Sequence, residues 1–269
     1  MNVMLIVLAT VTAIAAAARS TWSPCGQSML SQINPIAEAG RRQRYSRTAG
    51  WFILGAVIGG LTIGGVAAAL ASVVAAIGIG PHTAIAIAAA CALASAAVDT
   101  RVFGFGPPFI RRQVNEDWLS RYRPWVYGSG FGWQIGVGVT TYLMTAAVPL
   151  TIVLAILTAR PWVALAIGAL FGLARGLTVL LSAPLRTQAD LYAFHRRFAA
   201  TGERVRHAVI AAQLAVAVSA SWTVAPTAVA AGLTVGAVGL FAWSWTREMR
   251  ASRRTDTLDR RHATATAAP

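Results

Sequence analysis

RRQRYSRTAGWFILGAVIGGLTIGGVAAAL, residues 41 to 70, is the stretch from which the fold class follows. Arg41, Arg42, Arg44 and Arg47 give way to an uncharged run that continues from Trp51 to Gly80. The hydrocarbon core of a bilayer is about 30 Å thick and is crossed by about 20 apolar helical residues, so this run can span it with residues to spare. Gly55, Gly59, Gly60, Gly64 and Gly65 lie inside it, several of them four residues apart. Helices in lipid gain little from excluding water and associate through small residues that let their backbones meet, so the same run predicts tight helix crossings.

Working outward, the pattern recurs. Uncharged apolar runs extend from Asn2 to Ala18, Ala84 to Val98, Trp125 to Leu157, Val163 to Leu181, Ala208 to Trp222 and Thr227 to Trp245. Runs two and four exceed a straight crossing, so their ends must tilt, kink or project. Of the 269 residues only 12% are charged and 56% are hydrophobic. A soluble domain carries about 25% charged residues, so this chain cannot cover a globular surface and its main partner is the lipid bilayer. The expected fold is all-α: a polytopic transmembrane bundle of about seven spans over residues 1–246, then a basic tail, 247–269, whose Ala- and Thr-rich end reads as disordered.

Arginine placement orients the bundle. Arg41, Arg42, Arg44 and Arg47 precede the second run, Arg101, Arg111, Arg112, Arg121 and Arg123 follow the third, Arg186, Arg196, Arg197, Arg204 and Arg206 follow the fifth, and Arg247, Arg250, Arg253, Arg254, Arg260 and Arg261 follow the seventh. Twenty of the 23 arginines thus occupy alternate loops, while the opposite loops hold little more than His82 and Arg160. Positive charge stays cytoplasmic, which predicts a plasma-membrane protein with an extracytoplasmic N-terminus and a cytoplasmic C-terminus. The first apolar run has Arg19 after it and no positive charge before it, so it reads as a retained span instead of a signal peptide. The basic residues sit in juxtamembrane loops, where topology and anionic headgroups account for them, and nucleic acid is not an expected partner.

Several chemistries are excluded. The sequence contains no lysine, which removes a Walker A lysine, Schiff-base chemistry and a lysine general base. Two cysteines and four scattered histidines form neither a disulfide framework nor a recognisable metal site, and no cofactor motif is present. An enzyme of a soluble type is not expected. Ser129 lacks the pattern and the paired histidine of an intramembrane serine protease.

The unusual polar stretch is Ser20-Thr-Trp-Ser-Pro-Cys25-Gly-Gln-Ser-Met-Leu-Ser-Gln-Ile-Asn34-Pro35-Ile-Ala-Glu38. Pro24 and Pro35 interrupt any helix through it, and non-helical backbone at membrane depth survives only when buried in protein or lining a polar cavity, so a broken or re-entrant element is expected. Such elements form binding sites in transporters. Ser23-Pro24-Cys25 after a first apolar run, followed by an arginine-rich loop and a glycine-rich second span, resembles the opening of cytochrome c biogenesis and thiol-disulfide interchange membrane proteins of the CcdA/DsbD type. The resemblance covers about the first 70 residues and, more loosely, Gly128 to Gly136. It implies Cys25 as a catalytic thiol and a thioredoxin-like protein as partner. The family's second cysteine belongs in the fourth span, where this chain has none, so a complete electron relay would need Cys91 in its place.

Depth argues against a disulfide between the two cysteines. At 1.5 Å per residue Cys91 lies about 10 Å below the outer face and Cys25 near the inner one, on the order of 20 Å apart, against a Cα limit of about 7 Å. Arg175 is the one charge well inside a span, either a binding group or a side chain that snorkels to the cytoplasmic face. Together with Pro24, Pro35 and Gln134 it makes up the candidate binding set; Gln134 and Gln213 are also natural interhelical hydrogen-bonding groups. Small-solute or anion transport and a non-catalytic assembly or scaffold role remain open beside the redox reading. Gly168, Gly172 and Gly176, and Gly232, Gly236 and Gly239, predict further close crossings within the chain. Trp118, Leu119, Tyr122 and Trp125 suggest an interfacial helix, and a second is expected from an Asp190 N-cap to Gly202.

Overall fold

In the computed structural model, which describes residues 3–108 and 118–266, every regular element is helical. In chain order these are α1 (Val3–Ser20), α2 (Pro24–Gln32), α3 (Pro35–Gly40), α4 (Tyr45–Ile77), α5 (Pro81–Asp99), α6 (Trp118–Arg121), α7 (Pro124–Val137), α8 (Ala147–Leu157), α9 (Pro161–Leu177), α10 (Gln188–Val224) and α11 (Thr227–Thr266). A 3-10 segment, Thr178–Ser182, extends α9. Among the described residues six helices are long and apolar enough to cross a membrane: α1, α4, α5, α9 with its extension, α10, and α11 as far as Arg250. Helix α11 carries its backbone past the expected span end at Trp245 to Thr266, across the boundary expected at 246/247.

The remaining apolar run, Trp125 to Leu157, is two helices and not one. Helix α7 stops at Gly138, whose φ of +76° is readily adopted by glycine, and α8 starts again at Ala147. A Cβ at Gly138 would lie 2.7 Å from Cε1 of Phe171, so the break is also packed shut from α9. The excess length of this run is therefore resolved by a break inside it.

Helix α4 is the hub, lying between α9 and α7. Its glycines meet backbone, not side chains: a Cβ on Gly60 would sit 2.2 Å from the Gly168 carbonyl oxygen, and one on Gly55 2.1 Å from that of Ser129. Gly132 and Gly136 of α7 face Phe52 and Ala56 of α4 in the same way. The two α4 stripes and the α9 stripe thus form the crossings expected of them. Around this hub α1 packs on α8, α9 and α10, and α5 on α10 and α8. The core of small apolar residues runs through Ala9, Ala13, Ala16, Ala88, Ala92, Ala147 and Leu154.

Helix α11 differs. It packs chiefly on α10, and Cβ atoms added at Gly232, Gly236 or Gly239 would meet nothing within 4 Å, so the third glycine stripe does not form the intrachain crossing expected of it. Spacing alone cannot say which stripe finds a partner. An alanine-lined gap of about 280 Å³ separates α11 from α5 and α10, bordered by Ala86, Leu93, Ala217 and Leu233.

Two further local expectations change. The cap of α10 is Thr187, which accepts from the Asp190 N–H while the Asp190 carboxylate accepts from the Thr187 N–H, a reciprocal capping box with Asp190 at N3. Gly202 does not end that helix; it leaves room for Trp22, whose Cδ1 would lie 3.1 Å from a Cβ there. The interfacial helix expected around Trp118 is the single turn α6, and its acidic flank, Glu116 and Asp117, lies outside the described residues.

Candidate functional site

The polar stretch after α1 folds as two short helices, each started by a proline. Ser23 caps α2 by accepting from the Gly26 N–H, and Asn34 caps α3 by accepting from the N–H groups of Ile36 and Ala37. Pro24 and Pro35 take the first helical position, where the missing N–H costs nothing and φ is already set. The segment is broken as expected, and it is buried in protein: Cys25, Met29, Leu30 and Ile33 pack with Phe52, Phe131, Val179 and Phe198. Trp22 stacks on Phe198 at 4.4 Å between centroids and donates its indole N–H to the Phe198 carbonyl at 2.7 Å.

Arg175, 2% exposed, is enclosed in protein and does not snorkel to water. It lies within electrostatic reach of Cys25, so the bundle brings together two of the five candidate residues. Pro24 adjoins them through Cys25 in α2. Pro35 starts α3 next to a different centre, and Gln134 is half-buried on α7, where its carbonyl accepts from the Thr140 hydroxyl at 3.3 Å. No disulfide joins the two cysteines: Cys25 is buried in one cluster and Cys91 packs against another.

Two buried carboxylates organise the rest, and neither was singled out from the sequence. Glu38, fully buried on α3, accepts from the Thr48 hydroxyl at 2.5 Å, from the Tyr127 phenol at 2.9 and 3.0 Å, and from the Arg41 guanidinium at 2.9 Å. It thereby ties α3 to both α4 and α7. Arg41 also donates to the Gln32 carbonyl, which holds α2 against α3.

Asp99, 5% exposed at the end of α5, forms the second centre. Its carboxylate accepts from the Ala146 N–H at 2.8 Å, the Thr145 hydroxyl at 2.5 Å and the Gln213 side-chain amide at 2.9 Å. It caps the free N-terminal end of α8 from another helix, which is what makes a helix start inside the bundle tolerable. Gln213 also donates to Ser95 at 2.9 Å, the interhelical role expected of it. Arg206 of α10 donates to the Asp99 carbonyl at 3.1 Å and to Glu203 at 2.9 Å, and pairs with Glu248 of α11. Glu203, His207 and Glu248 present ligand atoms within 4.8 Å of one another, close enough for a metal ion. The Arg206 guanidinium already lies against both carboxylates, so the cluster acts as an ion-pair knot between α10 and α11.

The sequence signal for these residues was thin. Glu38 and Asp99 are the only acidic residues before Glu116, and each adjoins an apolar run. That position reads equally well as a span boundary.

No family model matches the chain, and no solved structure matches it significantly. Curated relatives do. Methylamine utilization protein MauF of Paracoccus denitrificans is 33% identical over 177 residues, covering 64% of this chain and 62% of the relative. The proteins of the same name from Paracoccus versutus and Methylophilus methylotrophus are 29% and 28% identical over 164 and 191 residues, each covered over 60% of its length. The chain thus spans about 60% of the length of the curated relatives it matches. These relatives overturn the resemblance drawn from Ser23-Pro24-Cys25, and the fourth apolar run lacks the relay's second cysteine. The chain is similar to methylamine utilization proteins, and not to the CcdA/DsbD-type family that its first 70 residues suggested.

Proposed function

We propose that this chain is a multi-pass membrane protein serving methylamine utilization as a non-catalytic accessory or assembly component. The observation that carries the reading is the 33% identity over 177 residues to a methylamine utilization protein. The architecture supports an assembly role: α4 meets both α7 and α9 backbone to backbone, which makes the hub rigid. Deleting the gene in its host should abolish growth on methylamine while leaving growth on a non-methylated carbon source intact. Unchanged growth on methylamine would overturn the reading.

A second reading, transport of a small solute or anion, draws support from the broken fourth span, because half-helix ends at a buried polar centre are how transporters hold ligands. Uptake of labelled substrate into vesicles, present with the chain and absent without it, would favour transport over assembly.

The orientation belongs to the same proposal: residues 1–246 in the plasma membrane with the N-terminus outside, and 247–269 as a cytoplasmic extension. Reporter fusions test it. A cytoplasmic reporter should be active after Arg250 and a periplasmic one at His82. The opposite activities would invert the topology.

A further inference from the structure

A cavity of about 120 Å³ opens beside Asp99, lined by Arg19, Arg101, Arg206, Tyr142, Thr145 and Met144 among others. That volume holds several waters or one small oxyanion. Three guanidiniums thus face one carboxylate. The carboxylate is already engaged by three neutral donors, Ala146 N–H, Thr145 and Gln213, and among the described residues it bonds no guanidinium. Arg206 is paired with Glu203 and Glu248, and Arg101 donates to the Pro107 carbonyl. Arg19 is left. It is 7% exposed, within electrostatic range of Arg101 and Arg206 as well as of Asp99 and Glu203, and its buried Nε has no hydrogen-bond partner among the described residues.

A buried guanidinium donor with no acceptor is destabilising, and a second positive charge beside it adds to the cost, so a bound anion would relieve both. We propose that this cavity binds a small oxyanion, a phosphate or carboxylate group, between the guanidiniums of Arg19 and Arg101, with Thr145 and Tyr142 as neutral lining. Planar guanidinium forks match the paired oxygens of such groups, which a chloride ion lacks. The assignment does not depend on the methylamine reading. The same chemistry could be supplied by a free anion or by the phosphate of an anionic lipid headgroup.

The test uses the full chain purified in neutral detergent and in nanodiscs. Inorganic phosphate and succinate are titrated calorimetrically at constant ionic strength set with chloride, and retention of phosphatidylglycerol over phosphatidylcholine is read by native mass spectrometry. Binding of either free anion, weakened at least tenfold by Arg19→Gln and by Arg101→Gln but not by Arg47→Gln on the exposed start of α4, places a soluble oxyanion in the cavity. Selective retention of phosphatidylglycerol that the same two variants lose places a lipid phosphate there. Arg19→Lys should also weaken binding severalfold, because charge remains and the fork is gone. Arg101 lies on an exposed turn, so Arg101→Gln keeps the test in force if Arg19→Gln does not fold. The proposal falls if no anion and no anionic lipid binds, or if binding is the same in the wild type, Arg19→Gln and Arg101→Gln.

Discussion

Replacing Gly136 with alanine is expected to lower the melting temperature of the detergent-purified protein by about 6–12 °C, equivalent to about 3 kcal/mol or more. The added methyl would lie 2.1 Å from the Ala56 carbonyl oxygen and 2.7 Å from its Cα. Backbone cannot rotate aside as a flexible side chain would, so α7 and α4 must separate. That separation loosens the contacts at Gly132 and Gly55 on the same seam. Gly60→Ala should behave alike, since its methyl would meet the Gly168 carbonyl oxygen at 2.2 Å. The control is the identical chemical change at Gly65, where an added Cβ meets nothing within 4 Å. There alanine should leave the melting temperature unchanged or raise it, because it favours helix by up to about 1 kcal/mol over glycine. Equal effects at Gly136 and Gly65 would refute the close crossing.

The second large effect is at Asp99. Asp99→Ala leaves the Ala146 N–H, the Thr145 hydroxyl and one of the two N–H donors of the Gln213 amide without an acceptor in a buried site, the other still reaching Ser95. A buried donor left unmade costs about 1–3 kcal/mol, so the variant should lose about 3–5 kcal/mol and in detergent become protease-sensitive between α7 and α8. Asp99→Asn should recover only part of this, because one of its two terminal atoms is now a donor facing donors. Limited proteolysis followed by mass spectrometry reads the site of cleavage. Wild-type resistance at Gly138 to Ala146 in Asp99→Ala would show that the broken span holds itself open without the carboxylate.

These residues mark where the sequence was legible and where it was not. Spans and their glycine crossings depend on local composition and spacing, so α1, α4, α5, α9 and α10 and the contacts of Gly55, Gly60, Gly168 and Gly172 could be anticipated. The break in the fourth span could be anticipated only as surplus length. Its position depends on Asp99, 46 residues before Thr145, and on Gln213, 114 residues after Asp99. No local pattern encodes such a meeting. The α2–α3 segment is legible as irregular, yet prolines that look like interruptions are helix starts, a distinction made by the Ser23 and Asn34 caps before them. Cys25 attracted a redox reading from its neighbours in sequence, whereas its neighbours in space are Met29, Leu30, Phe52 and the enclosed Arg175.

The glycine stripe of α11 is the converse case. Gly232, Gly236 and Gly239 have the same spacing logic as the stripes of α4 and α9, but the helix is placed at the edge of the bundle, against α10. Spacing states a capacity for close approach, and topology decides whether it is used.

The proposed role in methylamine utilization predicts that this chain can stand in for its relative. Complementation tests it most directly: a Paracoccus denitrificans strain lacking its MauF, a relative 33% identical over 177 residues, is given this chain and grown with methylamine as sole carbon source. The expected result is restored growth with the wild-type chain and none with Gly136→Leu, the membrane level of each being checked by immunoblot. Abundant wild-type protein in the membrane without growth on methylamine would contradict it.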